Sequence, residues 1–171
     1  LIDLASQRTQ QFPEDAIEAA DWQRHEAFTM DNFGGQTVVN GPGNYYDVGI
    51  IFLSEPIEDV EPEVVITAEE AAAISEGAPV VIAGWGQQTM TSGPFEPPPE
   101  GTVGVKVCAD SFINEVGEHE MQIGGDQSTS RKCHGDSGGL IYLMFDDTDH
   151  VCACRVIGIT SHAYDQTDCA K

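Results

Sequence analysis

The sequence predicts an all-β protein. Short apolar runs recur along the chain between turn-forming residues, and stretches with helical periodicity are nearly absent. The chain of 171 residues is long enough to bury the core of a single domain. Many short strands with few helices are typical of a β-sandwich or β-barrel.

Six short strands are predicted along the chain. Residues 48–53 form a near-continuous apolar run, which is typical of a strand buried on both faces. Further strands are predicted at 80–83, 103–107, 121–123, 140–145 and 156–160.

Loops and helical propensity complete the pattern. Residues 54–62 carry prolines and acids and are the natural connector, and the proline-rich stretch 89–101 predicts an exposed loop. Helical propensity is confined to 69–75, where we expect about one turn, and to a short turn at 15–20.

The most informative segment is 133–139, which reads Cys-His-Gly-Asp-Ser-Gly-Gly. Glycines on both sides of Ser137 allow sharp backbone turns and leave its hydroxyl exposed. The N–H groups of Gly135 and Ser137 can then point to one spot, which suits the oxyanion of an acyl-transfer intermediate. The alternative is a glycine-rich turn with an incidental serine.

This segment resembles the Gly-Asp-Ser-Gly-Gly signature of chymotrypsin-like (trypsin family) serine proteases. Three more segments resemble the family in the family's order. Residues 46–53 resemble the strand that the family begins with the triad aspartate, residues 80–86 the Gly-Trp-Gly turn, and residues 156–161 the substrate-binding strand.

The resemblance covers most of residues 45–169. It implies two six-stranded antiparallel β-barrels, with the first barrel incomplete in this chain. Residues 1–66 would hold the rest of that barrel and the connector. Residues 67–171 would hold the second barrel without its C-terminal end.

The resemblance also implies a serine endopeptidase that works through a Ser/His/Asp triad and an acyl-enzyme. Ser137 would be the nucleophile and Asp47 would orient the histidine. The oxyanion would bind the N–H groups of Gly135 and Ser137. Asp136 would form a buried ion pair with a new N-terminal amine.

The catalytic histidine itself is missing from the expected place. In the family it lies in an Ala-Ala-His-Cys segment before the aspartate, but only His25 precedes Asp47 here, in a stretch that resembles surface structure. We therefore expect a second chain or a missing segment to carry this histidine. The alternative is a catalytically inactive homologue that serves as a protein-binding module.

The expected specificity pocket carries positive charge. Arg131 stands where trypsin-like members have an aspartate, Lys132 follows it, and Ser161 and His162 border the pocket. Such a pocket would reject Lys or Arg and accept Asp or Glu through a bidentate guanidinium contact. Alternatively, residues 124–130 shift the alignment and Arg131 faces solvent.

Five cysteines indicate an oxidising, secreted setting. The resemblance pairs Cys133 with Cys169. Of the other three, we expect Cys108 to pair with Cys152 or Cys154 and leave one thiol. Zinc at residues 152–154 is disfavoured, because one residue separates the two cysteines and no second pair follows. We predict no metal and no cofactor.

The charge balance excludes two classes of partner. Seven basic and 29 acidic residues give a net charge of −22, which repels nucleic acid and anionic membrane surfaces. No apolar run approaches the ~20 residues that a membrane span needs. The expected partners are a protein or peptide substrate and the chain or segment with the histidine.

Overall fold

The structure is a computed structural model. It describes residues 16–29, 42–43, 45–88, 99–125, 128–145 and 154–162. These residues form seven β-strands in two antiparallel sheets and one 3₁₀ helix, Glu70–Ala73. The all-β prediction is confirmed, and the two sheets agree with a partial double barrel of the chymotrypsin type. Within the described ranges no helix is long and apolar enough to cross a membrane.

The larger sheet has the strand order β5-β4-β3-β6-β7. Its strands are β3 (Pro79–Gly84), β4 (Val107–Val116), β5 (Met121–Ile123), β6 (Leu140–Met144) and β7 (Cys154–Ile159). Along β3 every second residue is buried, because successive side chains point to opposite faces of a sheet. The core cluster of this sheet comprises Val80, Ile82, Ile113, Ile141 and Leu143.

The smaller sheet pairs β1 (Ala19–Arg24) with β2 (Gly49–Leu53). Every residue of both strands is exposed, including Ile51 at 63% and Phe52 at 44%. The prediction that residues 48–53 are buried on both faces is therefore wrong for the described part of the chain. The side chains of residues 48–53 are nonetheless apolar. A surface that buries them would have to come from outside these two strands.

Two further sequence predictions need correction. The strand predicted at 103–107 begins only at Val107 and continues to Val116, because Gly104 adopts a positive φ and bonds to Trp85 instead. The helical turn predicted at 15–20 is also wrong at its described end, because Ala19 and Ala20 belong to β1. The turn expected at 69–75 is present as the 3₁₀ helix.

Candidate active site

The segment Cys133–Gly139, here called the serine turn, consists of two successive β-turns. Asp136 N donates to Cys133 O at 3.0 Å, and Gly139 N donates to Asp136 O at 2.9 Å. The third residue of each turn has positive φ: 92° at Gly135 and 78° at Gly138. Type II turns require this conformation, and glycine adopts it without steric cost. The local sequence thus dictates the backbone around the serine.

Some N–H groups of the serine turn are hydrogen-bonded within the chain and others are not. The N–H groups of Asp136, Gly138 and Gly139 donate to backbone carbonyls. Among the residues that the structure describes, the N–H groups of Gly135 and Ser137 have no acceptor. Both residues are exposed, so these two donors are open to an acceptor from outside the chain.

Asp136 anchors the serine turn to the protein interior. Only 8% of this residue is exposed, although it carries a carboxyl group. The carboxylate accepts the N–H of Gly86 at 2.8 Å through Oδ1 and the N–H of Cys133 at 2.9 Å through Oδ2. These bonds join the turn to the chain that leaves β3.

Lys132 lies directly before the serine turn and faces β3. Its ammonium group donates to the carbonyl of Ala83. Burial lowers the pKa of the Lys132 ammonium, and the attraction of Asp136 partly opposes this shift. The side chain therefore keeps its main polar contact inside the protein, although Lys132 also lines the cavity described below.

Asp47 is held by Ser161, which lies just after the end of β7. Ser161 Oγ donates to Asp47 Oδ2 at 2.7 Å. Since the hydroxyl has one proton and gives it to the carboxylate, His162 Nδ1, 3.0 Å away, must donate to Ser161 Oγ. His162 Nε2 is buried and lies 3.9 Å from Glu120 Oε2. His162 Nδ1 is thus hydrogen-bonded to Ser161, and His162 Nε2 is buried near Glu120.

Glu120 fixes the segment that leads to Asp47. Its carboxylate accepts the N–H of Gly43 at 2.8 Å and the N–H of Tyr45 at 3.0 Å. Glu120 ends the tight connection between β4 and β5, which Gly117 N closes with a 2.8 Å bond to Glu120 O. Sequence reasoning missed this residue. The charged stretch 118–120 between two apolar runs signals a hairpin, but not its distant partners.

A cavity of about 500 Å³ brings Asp47 together with the four residues predicted for the specificity pocket. Its lining includes Asp47, Arg131, Lys132, Ser161 and His162, and also His25, Tyr46, His119 and Glu120. Ser137 is not among the lining residues. It lies beside Gly138, whose N–H bonds to the lining residue Thr160 at 2.9 Å, so the serine turn borders the cavity.

The histidines of the cavity contact aromatic rings. His25 stacks on Tyr46 with ring centroids 4.7 Å apart, and His119 lies 5.0 Å from the same ring. His25 Nδ1 accepts the N–H of Ala27 at 3.2 Å, a local contact typical of a turn. His25 therefore reaches the cavity of Asp47 as part of an aromatic wall.

The cysteine predictions have different outcomes. Cys133 is buried, but Cys169 and Cys152 lie outside the described residues, so the bridge from Cys133 to Cys169 stays a prediction. Cys108 is an exposed thiol on β4, and its predicted bridge to Cys152 or Cys154 is wrong. Within the described ranges, no group of three or more His, Cys, Asp and Glu side chains could hold a metal ion.

Comparison with known proteins agrees with this geometry. The family model for trypsin matches residues 12–171. A search of the curated proteins found no match. Members of the matched family are serine proteases, which bind peptide substrates. Because the match covers most of the sequence, the chain belongs to the trypsin family.

Proposed function

We propose that the protein is a secreted serine endopeptidase in which Ser137 is the nucleophile. Its Oγ bonds to the carbonyl carbon of a peptide, and its proton passes to an imidazole and then to the leaving amine. Water hydrolyses the resulting acyl-enzyme by the same route. Asp47 orients the imidazole, which a second chain or a segment outside these residues supplies.

The two open N–H groups of the serine turn carry this proposal. Gly135 and Ser137 present unpaired donors beside an exposed hydroxyl, whereas the N–H groups of Asp136, Gly138 and Gly139 are bonded. An oxyanion that develops during acyl transfer needs donors that no other group occupies. One such donor is worth about 10²–10³ in kcat in comparable sites.

The contacts of Asp47 support its role as the orienting carboxylate. Asp47 receives the Ser161 hydroxyl on Oδ2, and a carboxylate has further lone pairs for an imidazole N–H. His162 is a poor candidate for the base, because its Nδ1 is hydrogen-bonded to Ser161 and its Nε2 is buried, 3.9 Å from Glu120 Oε2. These contacts favour a histidine from outside the described residues.

Arg131 gives the proposed site its substrate preference. The side chain lines the cavity and crosses Gly124, where an added Cβ would lie 2.7 Å from Arg131 Cγ. The aliphatic part of the Arg131 side chain thus packs closely against Gly124, which has no side chain in its way. We expect the guanidinium to receive an Asp or Glu side chain on the amino side of the cleaved bond.

A fluorophosphonate probe tests the proposed function. The intact natural protein should be labelled, and peptide mapping should place the label on Ser137. Ser137→Ala should abolish labelling, and Ser75→Ala, at an exposed serine remote from the serine turn, should not change its rate. Absence of labelling in the intact natural material would favour an inactive binding homologue. Its mass with and without reductant would reveal a disulfide-linked second chain.

A further inference from the structure

Lys132 directly precedes the first β-turn of the serine turn, Asp136 is the last residue of this turn, and both side chains face β3. The Lys132 ammonium donates to Ala83 O, and the Asp136 carboxylate lies against the adjacent Gly84. A side chain at Gly84 would overlap Asp136 Oδ1, so only glycine leaves room for the carboxylate. Two opposite charges are therefore held against consecutive residues of one strand.

The two residues also meet at Gly139, at the end of the serine turn. A Cβ on Gly139 would lie 2.7 Å from Lys132 Nζ and 2.8 Å from the carbonyl oxygen of Asp136. The ammonium therefore approaches the backbone of the serine turn closely. Any larger residue at position 139 would displace either the ammonium or the turn.

The burial of Asp136 requires compensation for its charge. A buried carboxylate without positive partners is strongly unfavourable. Two backbone N–H groups supply part of the compensation, but they carry only partial charges. The two charged groups lie against the consecutive residues Ala83 and Gly84, so opposite charges attract each other there. In agreement, the charge of Asp136 opposes the burial-induced decrease in the pKa of Lys132.

We propose that Lys132 is a positioning residue that supplies the counter-charge of Asp136 from within this chain. It would thereby hold the serine turn in the form that leaves the N–H groups of Gly135 and Ser137 open. This assigns to a lysine the role that the sequence resemblance gives to a new N-terminal amine. Of the two adjacent basic residues, Arg131 would contact the substrate and Lys132 would not. The catalytic part of this inference rests on the proposed function.

A double-mutant cycle tests the pairing without any need for activity. Lys132→Met, Asp136→Asn and the double variant are unfolded in urea, with Lys106→Met as the control at an exposed lysine whose ammonium lies over Trp85. Each single change leaves one charge without its partner. Each variant lowers the folding equilibrium constant by some factor. We expect the factor of the double variant to be at least tenfold smaller than the product of the factors of the two single variants. Losses that multiply within about twofold would overturn the pairing.

Kinetics on the intact natural protein test the positioning role. We expect Lys132→Met to lower kcat and the rate of probe labelling about tenfold to hundredfold, with KM unchanged. Lys106→Met should change neither. A rise in KM at unchanged kcat would overturn the inference, because Lys132 would then bind substrate. If the unmodified protein is not labelled, the proposed function fails, and the unfolding cycle still decides whether the two charges interact.

Discussion

Ser161 Oγ donates to Asp47 Oδ2 at 2.7 Å and thereby joins the end of β7 to the segment that leads into β2. The preceding residue, Thr160, exchanges backbone hydrogen bonds of 2.9 Å with the serine turn at Gly138 and Gly139. The consecutive residues Thr160 and Ser161 thus bind the two segments that carry the predicted catalytic groups of Ser137 and Asp47. The relative placement of Asp47 and Ser137 depends on this single strand end.

Loss of the Ser161 hydroxyl should impair the chemical step. In Ser161→Ala the Asp47 carboxylate loses a hydrogen bond that fixes its orientation, and a bond to a charged group is worth about 1.5–3 kcal/mol. We expect kcat to fall about tenfold or more, with a smaller change in KM. Single-turnover acylation measures the effect. Ser54→Ala, at an exposed serine after β2, is the control, and an equal loss there would contradict the explanation.

A substitution of Gly138 should affect both the stability of the fold and the reactivity of Ser137. Gly138 and Gly104 have φ of 78° and 82°, and neither has an atom within 4 Å of an added Cβ. Alanine at either position should therefore lower the free energy of unfolding by about 1–2 kcal/mol. Only Gly138→Ala should also slow the labelling of Ser137. Similar labelling rates for the two variants would mean that the shape of the turn does not control reactivity.

Glu120 should stabilise the fold through the two N–H groups that it accepts. In Glu120→Gln one of the N–H groups of Gly43 and Tyr45 faces an amide NH₂, and the charge is lost. We expect the free energy of unfolding to fall by about 1–3 kcal/mol in urea titrations. Glu118→Gln is the matched control, since its side chain is 80% exposed against 15% for Glu120. Equal effects would exclude a specific role for Glu120.

Arg131 should determine which peptides are cleaved. Arg131→Ser removes the guanidinium from the cavity wall, and we expect kcat/KM for peptides with Asp or Glu before the cleaved bond to fall about tenfold to hundredfold. Peptides with an apolar residue at that position should be affected much less. Arg24→Ser removes an exposed arginine of β1 and controls for net charge. An unchanged preference in Arg131→Ser would mean that Arg131 does not contact the substrate.

Glu70 should make stability depend on pH. Its carboxylate accepts the Thr67 N–H at 2.9 Å and pairs with Arg155 Nε at 2.9 Å, and the Thr67 bond is the largest factor that lowers the pKa of Glu70. A pKa lowered on folding means that stabilisation is complete above the unfolded value of about 4.3 and is lost as pH falls through the folded value.

The comparison of Glu70→Gln with the unmodified protein measures this dependence. At neutral pH the variant should unfold at a lower urea concentration, and the difference should shrink under acid conditions. Glu69→Gln, an exposed neighbour, should show no such trend. A difference for Glu70→Gln that is the same at both pH values would exclude the carboxylate as its source.

The sequence alone determined the features that depend on neighbours along the chain. Gly135 and Gly138 dictate the two turns around Ser137, because only glycine takes positive φ freely. Short apolar runs placed β3 and β6 within two residues of their observed ends. The family signature around Ser137 likewise lies within a few consecutive residues, so it could be recognised without a structure.

Only the tertiary structure decided the contacts between distant segments. The bond from Ser161 to Asp47 and the bonds of Glu120 with Gly43 and Tyr45 join parts of the chain that no local pattern relates. The exposure of β2 depends on what covers it, which an apolar run does not reveal. Arg131 and Lys132 are adjacent in sequence, yet one fixes its stem against Gly124 and the other bonds to β3. Side-chain direction at such positions is set by the packing of neighbouring strands, and sequence spacing does not encode it.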